Sequence, residues 1–372
     1  MDIDKLALQQ VMAKTVADGE APGVVVGITN RRDVLFLAAE GQQSAETGAE
    51  MRTDTIFNIA SMTKAITSVA AMQLVESGQL ELQRSAGRYL EGYAPEVLVS
   101  FDAEASDLET RAPKTAVTVH HLLSHSSGHG YTFLDARLAA ISATGVDAQT
   151  LPLIHEPGTA FAYGESSGVL GRIIEQVSGQ RLDAYVRENI TDPLGMNETT
   201  WARDAVAADR LVAAHSRGEA GFTVIEQPAA PDTPPQGGYG LYSTASDYMA
   251  LLRMFLNDGA DLLAADTVAT MATNRLGGLN VPRQTSALPF LTDDFNFMTG
   301  RQAFGYGFLI ETESLLGRRP AGAYGWAGIY NTYFWVDPVN DIGVVVLMQT
   351  LPFASESALK VVGAVEQAIY AN

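Results

Sequence analysis

The seventeen residues Ile59 to Val75, IASMTKAITSVAAMQLV, carry a single charge, that of Lys64. Their length and apolarity predict a helix, and Gly78 stands where a helix C-cap would be. A helix that is apolar all round must be covered all round, so the rest of the chain has to build a thick core about it. The 372 residues, 47% of them hydrophobic, suffice for one large domain or two closely packed ones. The lone lysine is the anomaly, because burying an ammonium is costly unless it is paired or gives up its proton.

Periodicity locates the covering elements. Residues 3–18 read as an amphipathic helix, and 23–30 (GVVVGITN) and 34–41 (VLFLAAEG) as a hairpin of apolar strands. Short helices and loops are expected over 79–130. Two helices broken at Gly179 are expected over 166–189, and a third over 244–258. The proline-rich stretch 226–238 reads as a loop. Strands return at 306–312, 330–337 and 342–350, before a closing helix over 355–370. The expectation is therefore an α/β architecture of the α+β type: one antiparallel sheet built from both chain ends, flanked by helices, with a mainly helical insertion. Residues 1–64 and 230–372 would form the sheet domain and 65–229 the helical one, with a ligand groove between them.

Composition removes several classes of function. A net charge of −19 and only five lysines disfavour nucleic-acid binding. The absence of cysteine excludes thiolate metal sites, a Cys nucleophile and disulfides. His121 and His125 have helical i, i+4 spacing but neither an H-E-x-x-H pattern nor an evident third ligand, so no metal or other cofactor is expected. No stretch is long and apolar enough to span a membrane, and the acidic start MDIDKLALQQ lacks the form of a signal peptide, which points to a cytoplasmic protein. Monomer and dimer both remain open.

Two serines compete as nucleophile. Ser166 lies in GESSG, which matches G-x-S-x-G, but HEPGTAFAY precedes it where a buried strand is required, and only His215 follows it. Ser166 and Ser167 read instead as helix caps. Ser61 begins Ser61-Met-Thr-Lys64, and i, i+3 spacing puts its hydroxyl beside the lysine amine at a helix N-terminus, where backbone N–H groups and the dipole favour an oxyanion. A lysine with a lowered pKa can activate such a serine.

Six blocks then occur in a telling order: 57–82 (FNIASMTKAITSVAAMQLVESGQLEL), 117–131 (VTVHHLLSHSSGHGY), 156–179 (EPGTAFAYGESSGVLGRIIEQVSG), 193–199 (PLGMNET), 237–252 (GGYGLYSTASDYMALL) and 324–338 (YGWAGIYNTYFWVDP). With them the chain resembles the serine β-lactamase-like family of class C β-lactamases, DD-peptidases and family VIII carboxylesterases, and most closely the last. The resemblance implies a β-lactamase/transpeptidase-like fold, Ser61 as nucleophile, Lys64 as its partner and Tyr163 as general base, with the choice of base between Tyr163 and Lys64 left open. It also implies an oxyanion hole formed by the backbone N–H groups of Ser61 and Ile329.

Two departures bear on substrate. Where the family often has Asn two residues after the tyrosine, Glu165 stands here, and where β-lactamases carry Lys-Thr-Gly, this chain has Trp326-Ala327-Gly328. A carboxylate offers no N–H to a carbonyl, and an apolar ring cannot hold a substrate carboxylate. Trp326, Ala327, Gly328 and Glu165 are the expected substrate-binding residues, and Arg318-Arg319 is the one other candidate carboxylate anchor. The implied activity is a carboxylesterase acting on small neutral esters of short acyl chain. An acyltransferase, a class C-type β-lactamase or D-amino-acid peptidase, and a non-catalytic binding protein are the alternatives.

Overall fold

The computed structural model describes residues 3–371 except 106, 220 and 227–233, so most of the proline-rich stretch lies outside the described residues. Strands from both chain ends form one seven-stranded sheet. Its order is Val34–Gly41, Gly23–Thr29, Ile342–Leu347, Thr332–Asp337, Tyr324–Gly328, Leu309–Ile310 and Ala303–Phe304. Every pairing is antiparallel, with the termini joined where Val25 opposes Leu347.

Alternation along the central strands feeds two packed faces. Phe334 points toward Tyr248 of the helix Ala245–Leu256, with ring centroids 5.0 Å apart. Its neighbour Trp335 points the other way and donates Nε1–H to Tyr370 Oη at 3.0 Å, on the closing helix Glu356–Tyr370. The first helix, Lys5–Ala17, packs beside the closing helix and the Gly23 hairpin. Fully burying an apolar side chain contributes roughly 1.5–3 kcal/mol, so these two faces dominate the stability of the sheet.

The uncharged segment becomes a 3₁₀ turn, Ala60–Met62, followed by the helix Thr63–Glu76, eleven of whose fourteen residues are buried. Helix Ser166–Ser178 packs against it and ends at Gly179 in a left-handed conformation. Thr244 and Ser355 cap the two later helices through their side chains.

Three local expectations need correction. The region 79–130 contains an antiparallel hairpin, Val97–Asp102 with Asp107–Arg111, largely solvent-facing and polar. The strand expected over 306–312 shrinks to Leu309–Ile310, because Gly307 takes φ 92° in a turn closed by Gly305 N–H to Phe308 O. The last strand stops at Leu347, and Thr350–Leu351 pairs in parallel with Ala214–Gly218 in a separate three-stranded sheet.

Candidate active site

Ser61 is the middle residue of the 3₁₀ turn, and the chain enters that turn through a bend. Buried Ala60 has φ 45°, a left-handed conformation disfavoured by its Cβ. The surroundings impose it. Asn58 Oδ1 accepts the Ala60 N–H at 3.0 Å, Ile59 N–H donates to Leu241 O at 2.9 Å, and Tyr248 Oη–H donates to Met62 O at 3.0 Å. The strand Tyr324–Gly328 approaches from the sheet side so closely that a Cβ on Gly328 would lie 2.4 Å from Ile59 O. Only glycine permits that approach.

Lys64 is 1% exposed. Its Nζ donates to Ser61 Oγ at 3.1 Å, Tyr131 Oη at 3.0 Å and Gly238 O at 2.8 Å. Three N–H donors meet three acceptors, so the ammonium is satisfied without a direct carboxylate contact. Gly237 is drawn into the same region, its carbonyl accepting Thr67 Oγ1–H at 2.7 Å.

Tyr163 stands over Lys64, whose Nζ lies 4.9 Å from the ring centroid. Its hydroxyl accepts Trp326 Nε1–H at 3.1 Å, and the two rings are 4.7 Å apart. Beneath it lies His125, ring centroids 5.1 Å apart. Burial, and then the charge of Lys64, hold the pKa of His125 well below the usual imidazole value, so this platform is neutral.

Ser61, Tyr163, Trp326, Ala327 and Ile329 line one cleft, which Phe133, Phe295 and Phe353 complete. Phe133 stacks on Tyr131 at 4.7 Å, and Phe295 meets Phe353 edge-on at 4.9 Å. The lining is aromatic and aliphatic apart from the Ser61 and Tyr163 hydroxyls.

These features occur in a chain that the Beta-lactamase family model matches over residues 8–364. The chain belongs to that family. It is 29% identical to Acyltransferase calJ of Penicillium decumbens over 91% of this chain and 86% of that protein. To Esterase EstB of Burkholderia gladioli it is 25% identical, over 98% and 95% respectively. Among solved structures, Simvastatin Synthase from Aspergillus terreus in its LovD6 mutant form matches with TM-score 0.86 and 25% identity, covering 98% of this chain and 96% of that one. The fold is therefore that of β-lactamases and transpeptidases, within a family holding both serine hydrolases and acyltransferases.

Against this Beta-lactamase family background, four residues sit elsewhere than the sequence suggests. Glu165 does not line the Ser61 cleft; it borders a separate small cavity with His129, Gly168, Arg172 and Gln236. Arg318 and Arg319 do not face the cleft as a carboxylate anchor, because Glu366, 2% exposed, binds them at 2.7 and 2.9 Å and Arg319 lies over the Trp335 ring. Ser166 is the first residue of its helix rather than a cap, and its hydroxyl is engaged at 2.8 Å by Ser127 Oγ. The residue that sequence reasoning overlooked is Tyr131. It closes the block 117–131 after Gly128 and Gly130, and that glycine-rich turn was the available signal.

Proposed function

We propose that the protein is a serine carboxylesterase that cleaves neutral esters of short acyl chain through an acyl-enzyme on Ser61. The observation that carries this reading is the 3.1 Å contact between Lys64 Nζ and Ser61 Oγ at the floor of an aromatic cleft.

Ser61 Oγ attacks the ester carbonyl as its proton passes to the Lys64–Tyr163 pair, which in the reacting state holds one proton fewer than an ammonium and a phenol together. The pair returns the proton to the leaving alkoxide, and the alcohol departs. Water then attacks the acyl-enzyme by the same route. The backbone N–H groups of Ser61 and Ile329, two residues that line the cleft, are the proposed oxyanion donors, and losing one such donor typically costs about 100- to 1000-fold in rate. Trp326 orients the Tyr163 hydroxyl and walls the acyl pocket, and Ala327 leaves room beside it. The charge pattern favours neutral esters over β-lactams or peptide C-termini, since the cleft lining holds no cation and Lys64, behind Ser61, is already engaged.

A second reading keeps the acyl-enzyme and replaces water by another alcohol or an amine, and the relative Acyltransferase calJ favours it. Fluorophosphonate labelling with peptide mapping, followed by product analysis on p-nitrophenyl esters with and without added alcohol, tests both. Adduct on Ser61 with free acid as the product supports the esterase. Transesterified product that outpaces hydrolysis would replace it by the acyltransferase, and cephalosporin turnover matching ester turnover would replace both.

A further inference from the structure

We infer that Asn331 is a positioning residue for the reaction: its buried side chain fixes the turn that presents the Ile329 N–H to the oxyanion and holds Phe353 against the same cleft. This rests on the acyl-enzyme reading above, in which Ile329 is one of the two oxyanion donors.

Ile329, Tyr330 and Asn331 join the strand Tyr324–Gly328 to the strand Thr332–Asp337, and the pairing ends with Gly328 opposite Thr332. Ile329 lies one residue beyond that ladder, so its N–H is not spent on the sheet. The loop is closed by Asn331 N–H, which donates to Gly328 O at 2.9 Å. Three-residue hairpin loops of this kind end on a left-handed residue, and Asn331 has φ 59°. Asparagine tolerates that conformation better than most side chains, yet glycine adopts it without strain. The turn alone does not call for the amide.

The amide is spent on a second segment. Asn331 is fully buried, and its Nδ2 donates to Thr350 O at 2.9 Å, Thr350 Oγ1 at 3.2 Å and Pro352 O at 2.9 Å. Its Oδ1 accepts Tyr333 Oη–H at 2.8 Å and Ala354 N–H at 2.9 Å. Both N–H groups and both lone pairs are engaged. Backbone bonds run beside them, from Thr350 N–H to Tyr330 O at 3.0 Å and from Met348 N–H to Asn331 O at 3.3 Å. Segment 348–354 is thereby fastened to the turn, and its Phe353 lines the cleft with Ile329.

The same unit is docked on the approach to Ser61. Thr332 Oγ1–H donates to Ile59 O and Gln349 Nε2–H to Asn58 O, each at 3.4 Å. Asn58 Oδ1 in turn holds the left-handed Ala60, one residue before the nucleophile. The Asn331 amide therefore ties together the pieces whose spacing sets one oxyanion donor against the other. It lines none of the cleft itself, so it acts only through them. A misplacement of about 1 Å remote from the chemistry can cost on the order of 100-fold in rate.

The test compares wild type with Asn331→Gly, which keeps the left-handed turn and removes the amide, and Asn331→Asp, which keeps the shape but turns a carboxylate toward the Thr350 and Pro352 carbonyls. Fluorophosphonate labelling carried to completion counts the assembled Ser61, and kcat/KM for p-nitrophenyl butyrate is expressed per labelled site. It should fall by about 10- to 100-fold in both variants. Inhibition by butyl trifluoromethyl ketone, which forms a tetrahedral adduct with serine, should weaken by the same factor, while butyl methyl ketone, a ground-state mimic, binds within about twofold of its wild-type affinity. A lower labelled fraction with an unchanged rate per site, or equal weakening of both ketones, would overturn the inference. Should neither variant fold, Tyr333→Phe removes one donor from Oδ1 and gives the same comparison. An unchanged rate per site and unchanged discrimination between the ketones there would overturn it equally. A wild type that neither labels at Ser61 nor turns over esters removes the acyl-enzyme reading, and this inference with it.

Discussion

Lys64 divides the site into two regions of opposite character. On the Ser61 side, Phe133, Tyr163, Phe295, Trp326 and Phe353 enclose a ring-lined cleft with no charged group in its lining. On the far side lie Glu165, Arg172, His129 and Gln236 around a cavity of about 30 Å³, comparable to the volume of one water molecule. The first region can select a substrate only by shape and apolarity. The second is polar and lies behind the Lys64 amine, which reaches the Gly238 carbonyl on that side. On the proposed reading specificity and proton chemistry belong to different walls, and substitutions should separate them.

The largest effect belongs to the residue both regions share. Lys64→Met, similar in length and without charge, should lower kcat/KM for p-nitrophenyl acetate by about 1000-fold or more, toward the upper part of the range for a lost acid–base partner. Ser61→Ala should abolish fluorophosphonate labelling altogether. A Lys64→Met enzyme that labels at the wild-type rate would mean that the polar region has no part in activating Ser61.

The next pair asks which tyrosine belongs to which region. Tyr163 faces the cleft and its hydroxyl is held by Trp326, while Tyr131 accepts from Lys64 behind it. Tyr163→Phe should cost about 100-fold or more in kcat/KM, as loss of a proton-transfer group does. Tyr131→Phe removes one of three acceptors from a buried ammonium, a penalty of about 1–3 kcal/mol of which only part falls on the transition state. About a tenfold loss is expected. Steady-state kinetics on both variants would decide, and a larger loss at Tyr131 would exchange their roles.

Why one tyrosine could be read from the sequence and the other could not has a physical basis. Ser61, Lys64 and Tyr163 lie within short motifs whose spacing or context carries their chemistry, and the uncharged helix around Lys64 announced its own burial. Tyr131 becomes important because the Ser124–Asp135 loop folds across the helix; the glycine-rich turn before it marks a loop but does not name its partner, Lys64, 67 residues away in the chain. The left-handed Ala60 is equally silent, since alanine has no preference for that conformation and the surrounding hydrogen bonds enforce it. Glu165 was visible as a departure, but its side of the site was not, because the orientation of a side chain at a helix start depends on what packs over the first turn. Similarly, Gly23–Thr29 was legible from its run of β-branched residues, whereas Gly305 and Gly307 broke up the apolar 306–312 stretch. Arg318 and Arg319 looked free in the sequence because their partner, Glu366, lies 47 residues onward on the closing helix.

The smallest expected effect lies wholly in the cleft. Phe133 is its most adaptable ring, half-buried and stacked on Tyr131, whereas Phe353 is locked among Phe295, Phe297 and Tyr333 and its truncation would cost core stability. Phe133→Ala should open the acyl pocket without collapsing it. A buried methylene is worth about 0.8 kcal/mol, so two further methylenes admitted by the larger pocket would improve the kcat/KM ratio of hexanoate to butyrate ester by up to about 15-fold. The acetate ester serves as the internal reference. Any loss common to acetate, butyrate and hexanoate reports the disturbed stack on Tyr131 and hence the polar region, while a change in the ratio reports the pocket alone. If the ratio stays constant while all three rates fall together, Phe133 acts through Tyr131, and the separation of the two walls fails at that residue.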